Sequence, residues 1–138
     1  MVEFNKFTNI HPLKYAISNE NKKVKLIHFA NKTAYNINIL NDPRTTGNEE
    51  VEAITIDKLF DITKVTHCDF MKMDIEGEEF VVLGGPYFKK VAPLIDTILI
   101  ETHKWPGRNF NQIKECLVTN GFNIKILQAD SDLIVGIK

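Results

Sequence analysis

The chain has 138 residues, 43% of them hydrophobic and 25% charged, which is the balance of one soluble globular domain with enough apolar mass to bury a core. That composition excludes a disordered or low-complexity chain. Seventeen Lys and Arg against eighteen Asp and Glu leave a formal net charge of -1, so no global field draws in nucleic acid or an anionic membrane, and neither is expected as a partner.

From the N-terminus, residues 13–18 read as a short strand, and the polar Asn19, Glu20 and Asn21 turn the chain into a second strand over 24–29, a pattern that predicts a β-hairpin. Residues 41–50 (N-D-P-R-T-T-G-N-E-E) have the composition of a loop, with Asp-Pro, a glycine and almost no apolar side chain. Residues 51–56 read as extended, and Asp57 is placed to cap a short helix through Leu59 and Phe60. Strand and helix then alternate. A strand at 69–73 leads to helical turns at 78–83, which Gly84, Gly85 and Pro86 break before 87–91 resumes. Residues 97–100 (T-I-L-I) suit a strand covered on both faces. Phe110, Ile113 and Leu117 fall at helical spacing behind the capping pair Asn109 and Gln112, and Asn120 with Gly121 ends that helix. Strands at 122–127 and 133–137, joined by a turn at 129–131, complete the chain as a hairpin. This order predicts a single α/β domain, 1–138, with a mostly parallel sheet and a C-terminal antiparallel hairpin.

Ligands of open parallel sheets collect beyond the carboxyl ends of the strands. Two polar groups stand there: Asp74 to Gly77 after the strand at 69–73, and Glu101 to His103 after the strand at 97–100. If these strands are neighbours, Asp74, Glu76, Glu101 and His103 meet at one edge. The two-residue side-chain period places Lys72 on the face of Asp74. A lysine within a central apolar strand needs a carboxylate partner such as Asp74, Glu76 or Glu79. Glu78 and Glu79 read as first-turn acids that oppose the helix dipole. His11, His28 and His67 lack comparable neighbours. Cys68 and Cys116, without a C-x-x-C or metal-finger spacing, read as reduced thiols, and with no secretion-like N-terminus or membrane-length apolar run the expected location is cytoplasmic.

The succession T-I-D-K-L-F (55–60), D-F-M-K-M-D-I-E-G-E-E-F-V-V-L-G-G (69–85), I-L-I-E-T-H (98–103) and I-K-E-C-L-V-T-N-G-F (113–122) resembles the FkbM-type methyltransferases. Its K-x-D-x-E-G-x-E core falls on Lys72, Asp74, Glu76, Gly77 and Glu79, with V-L-x-G on Val82, Leu83 and Gly85. The resemblance implies S-adenosylmethionine-dependent transfer of a methyl group to an oxygen of a sugar or small metabolite, on a class I Rossmann-like sheet. Residues 15–18 look like the family's third strand, which assigns Ala16 and Ile17, with Asp74, to the cofactor. It further implies Asp74 and His103 as base or acceptor-positioning groups, with Glu76 and Glu101 holding them or a divalent metal. Such an oxygen-rich set suits Mg²⁺ better than zinc without requiring either. Lys72, Trp105 and Arg108 are the candidate acceptor contacts.

The family's glycine-rich turn has no counterpart, because no G-x-G occurs in the sequence. The expectation is therefore an N-terminally truncated methyltransferase sheet, incomplete alone, that pairs with a separate N-terminal half or a second copy through its open edge. Two alternatives accompany it. One is a non-catalytic fragment or partner subunit; the other is a metal-dependent hydrolase or nuclease built on Asp74, Glu76 and Glu101.

Overall fold

The computed structural model describes residues 6–29, 35–36, 45–103, 107, 109–126 and 133–138. Among these, eight strands form two four-stranded sheets. The first contains β1 (Tyr15–Ile17), β2 (Lys22–Phe29), β3 (Tyr35–Asn36) and β4 (Thr45–Ile54), in the order β1-β4-β2-β3. The predicted hairpin of the first two strands is not formed. Instead β1 lies parallel to β4, Ala16 beside Ala53 and Ile17 beside Ile54, and β2 runs antiparallel to β4.

Most of the expected loop at 41–50 belongs to β4. The polar composition of Thr45 to Glu50 fits its surroundings, because Thr46, Asn48, Glu49 and Glu50 are exposed. Five of the eight residue pairs between β2 and β4 fall in this segment, and Lys23 reaches Glu50 across the strands at 2.8 Å. Turn-forming composition yielded to cross-strand pairing. The helix α1 (Ile56–Thr63) follows, and its N-cap residue is Thr55, not Asp57. Asp57 Oδ1 instead accepts from the Thr55 hydroxyl and from the Lys58 amide, while Oδ2 takes Lys90 Nζ at 2.8 Å.

The second sheet contains β5 (Cys68–Met73), β6 (Ile95–Glu101), β7 (Asn123–Ile126) and β8 (Leu133–Ile137), in the order β5-β6-β8-β7. β5 and β6 are the neighbouring parallel strands expected from sequence, and β7 and β8 are the expected antiparallel pair. The turn assigned to 129–131 lies outside the described residues. Both sheets mix parallel and antiparallel pairs, so the expectation of one mostly parallel sheet is corrected to two mixed ones. The helices are α2 (Glu79–Gly84), α3 (Phe88–Val91) and α4 (Phe110–Thr119), with a single 3₁₀ turn at Ala92–Leu94. Asn109 caps α4 through Asn111 N and Gln112 N, and Gln112 Oε1 returns the bond to Asn109 N, the reciprocal box that its sequence predicted. No helix of the described residues is long and apolar enough to cross a membrane.

The core lies on one face of the second sheet. Met73, Ile98, Ile100 and Ile134 project from it into a cluster with Phe80 and Leu83 of α2, Phe88 and Val91 of α3, and Ile113 and Leu117 of α4. Burial of each large apolar side chain there contributes about 1.5–3 kcal/mol relative to exposure. Packing is closest at Gly136 of β8, where a Cβ would come within 3.1 Å of Ile98 Cγ2 and of Phe122 Cβ. Among the described residues the opposite face is open. Phe70 is 58% exposed, and Thr97, Leu99 and Val135 are only partly buried, so β6 is covered on one side and not on both. Among the described residues β5 is an edge strand, which removes the premise of a centrally buried Lys72.

Candidate active site at the carboxyl ends of β5 and β6

After Met73 the chain leaves the sheet and reverses direction in four residues. Glu76 (φ 55°) and Gly77 (φ 103°) both occupy the left-handed region, where a glycine is at ease and a glutamate is strained. The reversal carries Glu79 back beneath the turn, where it is fully buried (0% exposed). Its Oε1 accepts from the Ile75 amide and its Oε2 from the Gly77 amide, each at 2.8 Å. Two backbone donors that the turn leaves without ladder partners are thereby satisfied, which is what makes a carboxylate tolerable inside. Glu78 is also buried, and accepts the Ser18 hydroxyl at 2.9 Å, tying the end of β1 to this turn. Glu79 does open α2 as a first-turn acid, with Glu78 before it, but both carboxylates also face inward onto specific donors, a role that first-turn electrostatics alone does not describe.

His103 reaches the same place from β6. Thr102 is buried, so Glu101 and His103 on either side of it point to the open mouth. His103 Nδ1 lies 3.1 Å from Glu79 Oε1, while Nε2 lies 3.4 Å from Glu76 Oε2 and 3.8 Å from Asp74 Oδ1. Lys72, exposed on the open face of β5, donates to Asp74 Oδ2 at 2.9 Å and stands 3.8 Å from Glu101 Oε2. The predicted partnership of Lys72 with a carboxylate is present, and its reason is surface pairing. The charge and hydrogen bond of Asp74 raise the Lys72 ammonium above its ordinary value. Burial pushes the Glu76 carboxyl up, as do the charges of Asp74, Glu79 and Glu101, against the opposing pull of His103.

The structure thus brings together Asp74, Glu76, Glu101 and His103, with Lys72 at their margin. Ala16 and Ile17 sit in β1, next to Ser18 and its bond to Glu78. Trp105 and Arg108 lie outside the described residues. Glu79 is the residue that sequence reasoning placed elsewhere. Its signal was the glycine-containing reversal two residues before it, whose amides require a nearby acceptor.

Chemically, the mouth sets four carboxylates against one lysine and one imidazole. It can take a proton at Nε2 of His103 and it favours a cation. Asp74, Glu76 and His103 offer ligand atoms within 4.8 Å of one another, a set of two carboxylates and one imidazole nitrogen, in which the nitrogen weakens the preference for Mg²⁺.

Polar residues converge beyond the carboxyl ends of adjacent parallel strands, each followed by a helix, which is the edge where α/β proteins hold their ligands. The family is more specific. The profile of the Methyltransferase FkbM domain matches residues 3–124, and the chain belongs to the FkbM methyltransferase family. Comparison with curated proteins found no match, and comparison with solved structures found none. S-adenosylmethionine, which the family suggests, carries a cationic sulfonium that suits the acidic mouth. The sequence contains no G-x-G turn.

Proposed function

We propose that this protein is an S-adenosylmethionine-dependent O-methyltransferase acting on a hydroxyl of a sugar or small metabolite. The observation that carries the proposal is the juxtaposition of His103 Nε2 with Asp74 and Glu76 at the mouth of β5 and β6, 3.8 Å and 3.4 Å away, in a chain of this family. When bound, the cofactor supplies an electrophilic methyl group. His103 takes the acceptor hydroxyl's proton at Nε2, and Asp74 or Glu76 accepts a hydrogen bond from a neighbouring hydroxyl of the same acceptor and orients it. Lys72 neutralises one side of Asp74 and holds that carboxylate in place at the margin of the acidic mouth. Ala16, Ile17 and Asp74 are the proposed cofactor contacts, and Trp105 and Arg108 the proposed acceptor contacts.

Among the described residues the edge of β5 is free and Phe70 is exposed, which supports a second element of the proposal. A separate N-terminal half carrying a strand and glycine-rich turn pairs there and completes the cofactor pocket, or a second copy of the chain covers the edge.

The test is methyl transfer from isotopically labelled S-adenosylmethionine to a panel of sugars and hydroxylated metabolites, with calorimetry of cofactor binding alongside. Labelled product that is lost in Asp74→Asn, with the melting temperature retained, supports the reading. No binding at millimolar cofactor and no labelled product overturns it for this chain alone. Turnover of phosphate esters or glycosides that is stimulated by metal and independent of cofactor would replace it with hydrolysis.

A further inference from the structure

We infer that Glu79 and His103 form a carboxylate–imidazole dyad in which Glu79 is a positioning residue that fixes the tautomer of His103. Both Glu79 oxygens already accept backbone N–H bonds, from Ile75 at Oε1 and from Gly77 at Oε2. It therefore meets His103 Nδ1, 3.1 Å away, as an acceptor. The imidazole proton is held at Nδ1, and the Nε2 lone pair is left pointing into the mouth. The burial of the two partners differs in the way such a pair requires, with Glu79 at 0% exposure and the His103 side chain at 25%. The orienting group is shielded while the reacting nitrogen meets the ligand.

The rigidity comes from the backbone. Glu79 begins α2, and the two amides that grip its carboxylate belong to the reversal at Glu76 and Gly77, so the ring is aimed by a turn and not by another mobile side chain. The front of the ring faces Glu76 and Asp74, and Asp74 is drawn the other way by Lys72 at 2.9 Å. Glu101 lies beyond Lys72. After proton uptake, the imidazolium stands between Glu79 behind and Glu76 in front, which stabilises the charge it gains.

The step rests on the methyltransferase reading. The acceptor oxygen forms a bond to the methyl carbon, the methyl–sulfur bond of the sulfonium donor breaks with its electron pair retained on sulfur, and the acceptor proton passes to Nε2. Nδ1 keeps its proton throughout.

The experiment is nitrogen NMR on the full chain with ¹⁵N-labelled histidine, at a pH where His103 is neutral, assigned by loss of its signals in His103→Gln. A protonated Nδ1 and an unprotonated Nε2 are expected in the wild type. The opposite tautomer, or rapid exchange between the two, overturns the dyad without recourse to any variant. Glu79→Gln introduces an amide donor where acceptors are needed, and should abolish the Nδ1–H signature. With an acceptor in hand, it should also lower kcat by about 10²-fold while KM stays within about threefold. A variant that keeps the Nδ1–H signature also refutes the assignment. Because the tautomer is read without cofactor or acceptor, it stands or falls separately from the finding of methyl transfer.

Discussion

The two ends of the strand pair β5 and β6 carry nearly the same chemistry and differ in how it is built. At the amino ends, His67 Nε2 lies 3.4 Å from Asp69 and 3.3 Å from Asp96; at the carboxyl ends, His103 Nε2 lies 3.4 Å from Glu76 and 3.8 Å from Asp74. Distances alone do not separate a histidine with two acids at one end from the same set at the other. Burial does. The side chains of His67, Asp69 and Asp96 are 56%, 92% and 58% exposed, and so pair weakly in solvent-screened surroundings. His103 has a fully buried carboxylate behind it, held in turn by two backbone amides. A reactive group gains direction from its support, and only one end of the sheet supplies that support.

Substitution at the two histidines is the sharpest way to test this contrast. His103→Gln should reduce methyl transfer by about 10²–10⁴-fold with little change in melting temperature, whereas His67→Gln should leave the rate unchanged. Equal losses would erase the distinction. Next in size is the core that holds the carboxyl ends in place. Phe88→Ala, at a fully buried position stacked on Phe122, should cost about 3–5 kcal/mol in urea unfolding, against almost nothing for Phe70→Ser on the open face. Glu79→Ala leaves the buried Gly77 amide and the partly buried Ile75 amide without their acceptor and should cost about 1–3 kcal/mol in the same measurement. Asp69→Asn at the amino end should stay within about 0.5 kcal/mol.

A pH series gives a finer measure. Burial raises the Glu76 carboxyl above its ordinary value, so between the ordinary and the raised value the folded state binds more protons than the unfolded one. Its contribution to stability is present below that window and falls as pH rises through it. Glu76→Gln should flatten that part of the stability curve; an unchanged curve would mean that solvent screens the site as fully as it does Asp69. Asp57 has the opposite sign. Although burial alone would raise it, hydrogen bonds from Lys90 and Thr55 hold it below the usual carboxylate range. Its contribution is present above that range and is lost as pH falls through the folded value, so Asp57→Asn should remove a small acid-side loss.

The strands and helices of residues 68–126 were legible from local signals. The Asn109 and Gln112 box, the Gly84 to Pro86 break and the apolar runs at 97–100 and 133–137 each state a backbone preference within a few residues. Residues 45–50 were not legible, because a polar, glycine-containing segment reads as loop until a partner strand supplies its hydrogen bonds. Lys72 found its carboxylate as foreseen, but β5 being at the edge of its sheet supplied a different reason for it. Glu79 was taken for a helix-end charge, since one-dimensional position shows the start of a helix and not which way its first side chain turns.

From the sequence by itself came the family motif, the element types over most of the chain, and the expectation that Asp74, Glu76, Glu101 and His103 share one edge. Tertiary structure alone decided the two mixed sheets, the open face beside Phe70, and the burial of Glu79 behind His103. The division has a physical cause. Propensity, capping and periodicity act within a turn or a strand, whereas strand order, burial and the aim of a side chain depend on residues such as Ser18 and Glu78, sixty positions apart in the chain and joined by a 2.9 Å hydrogen bond.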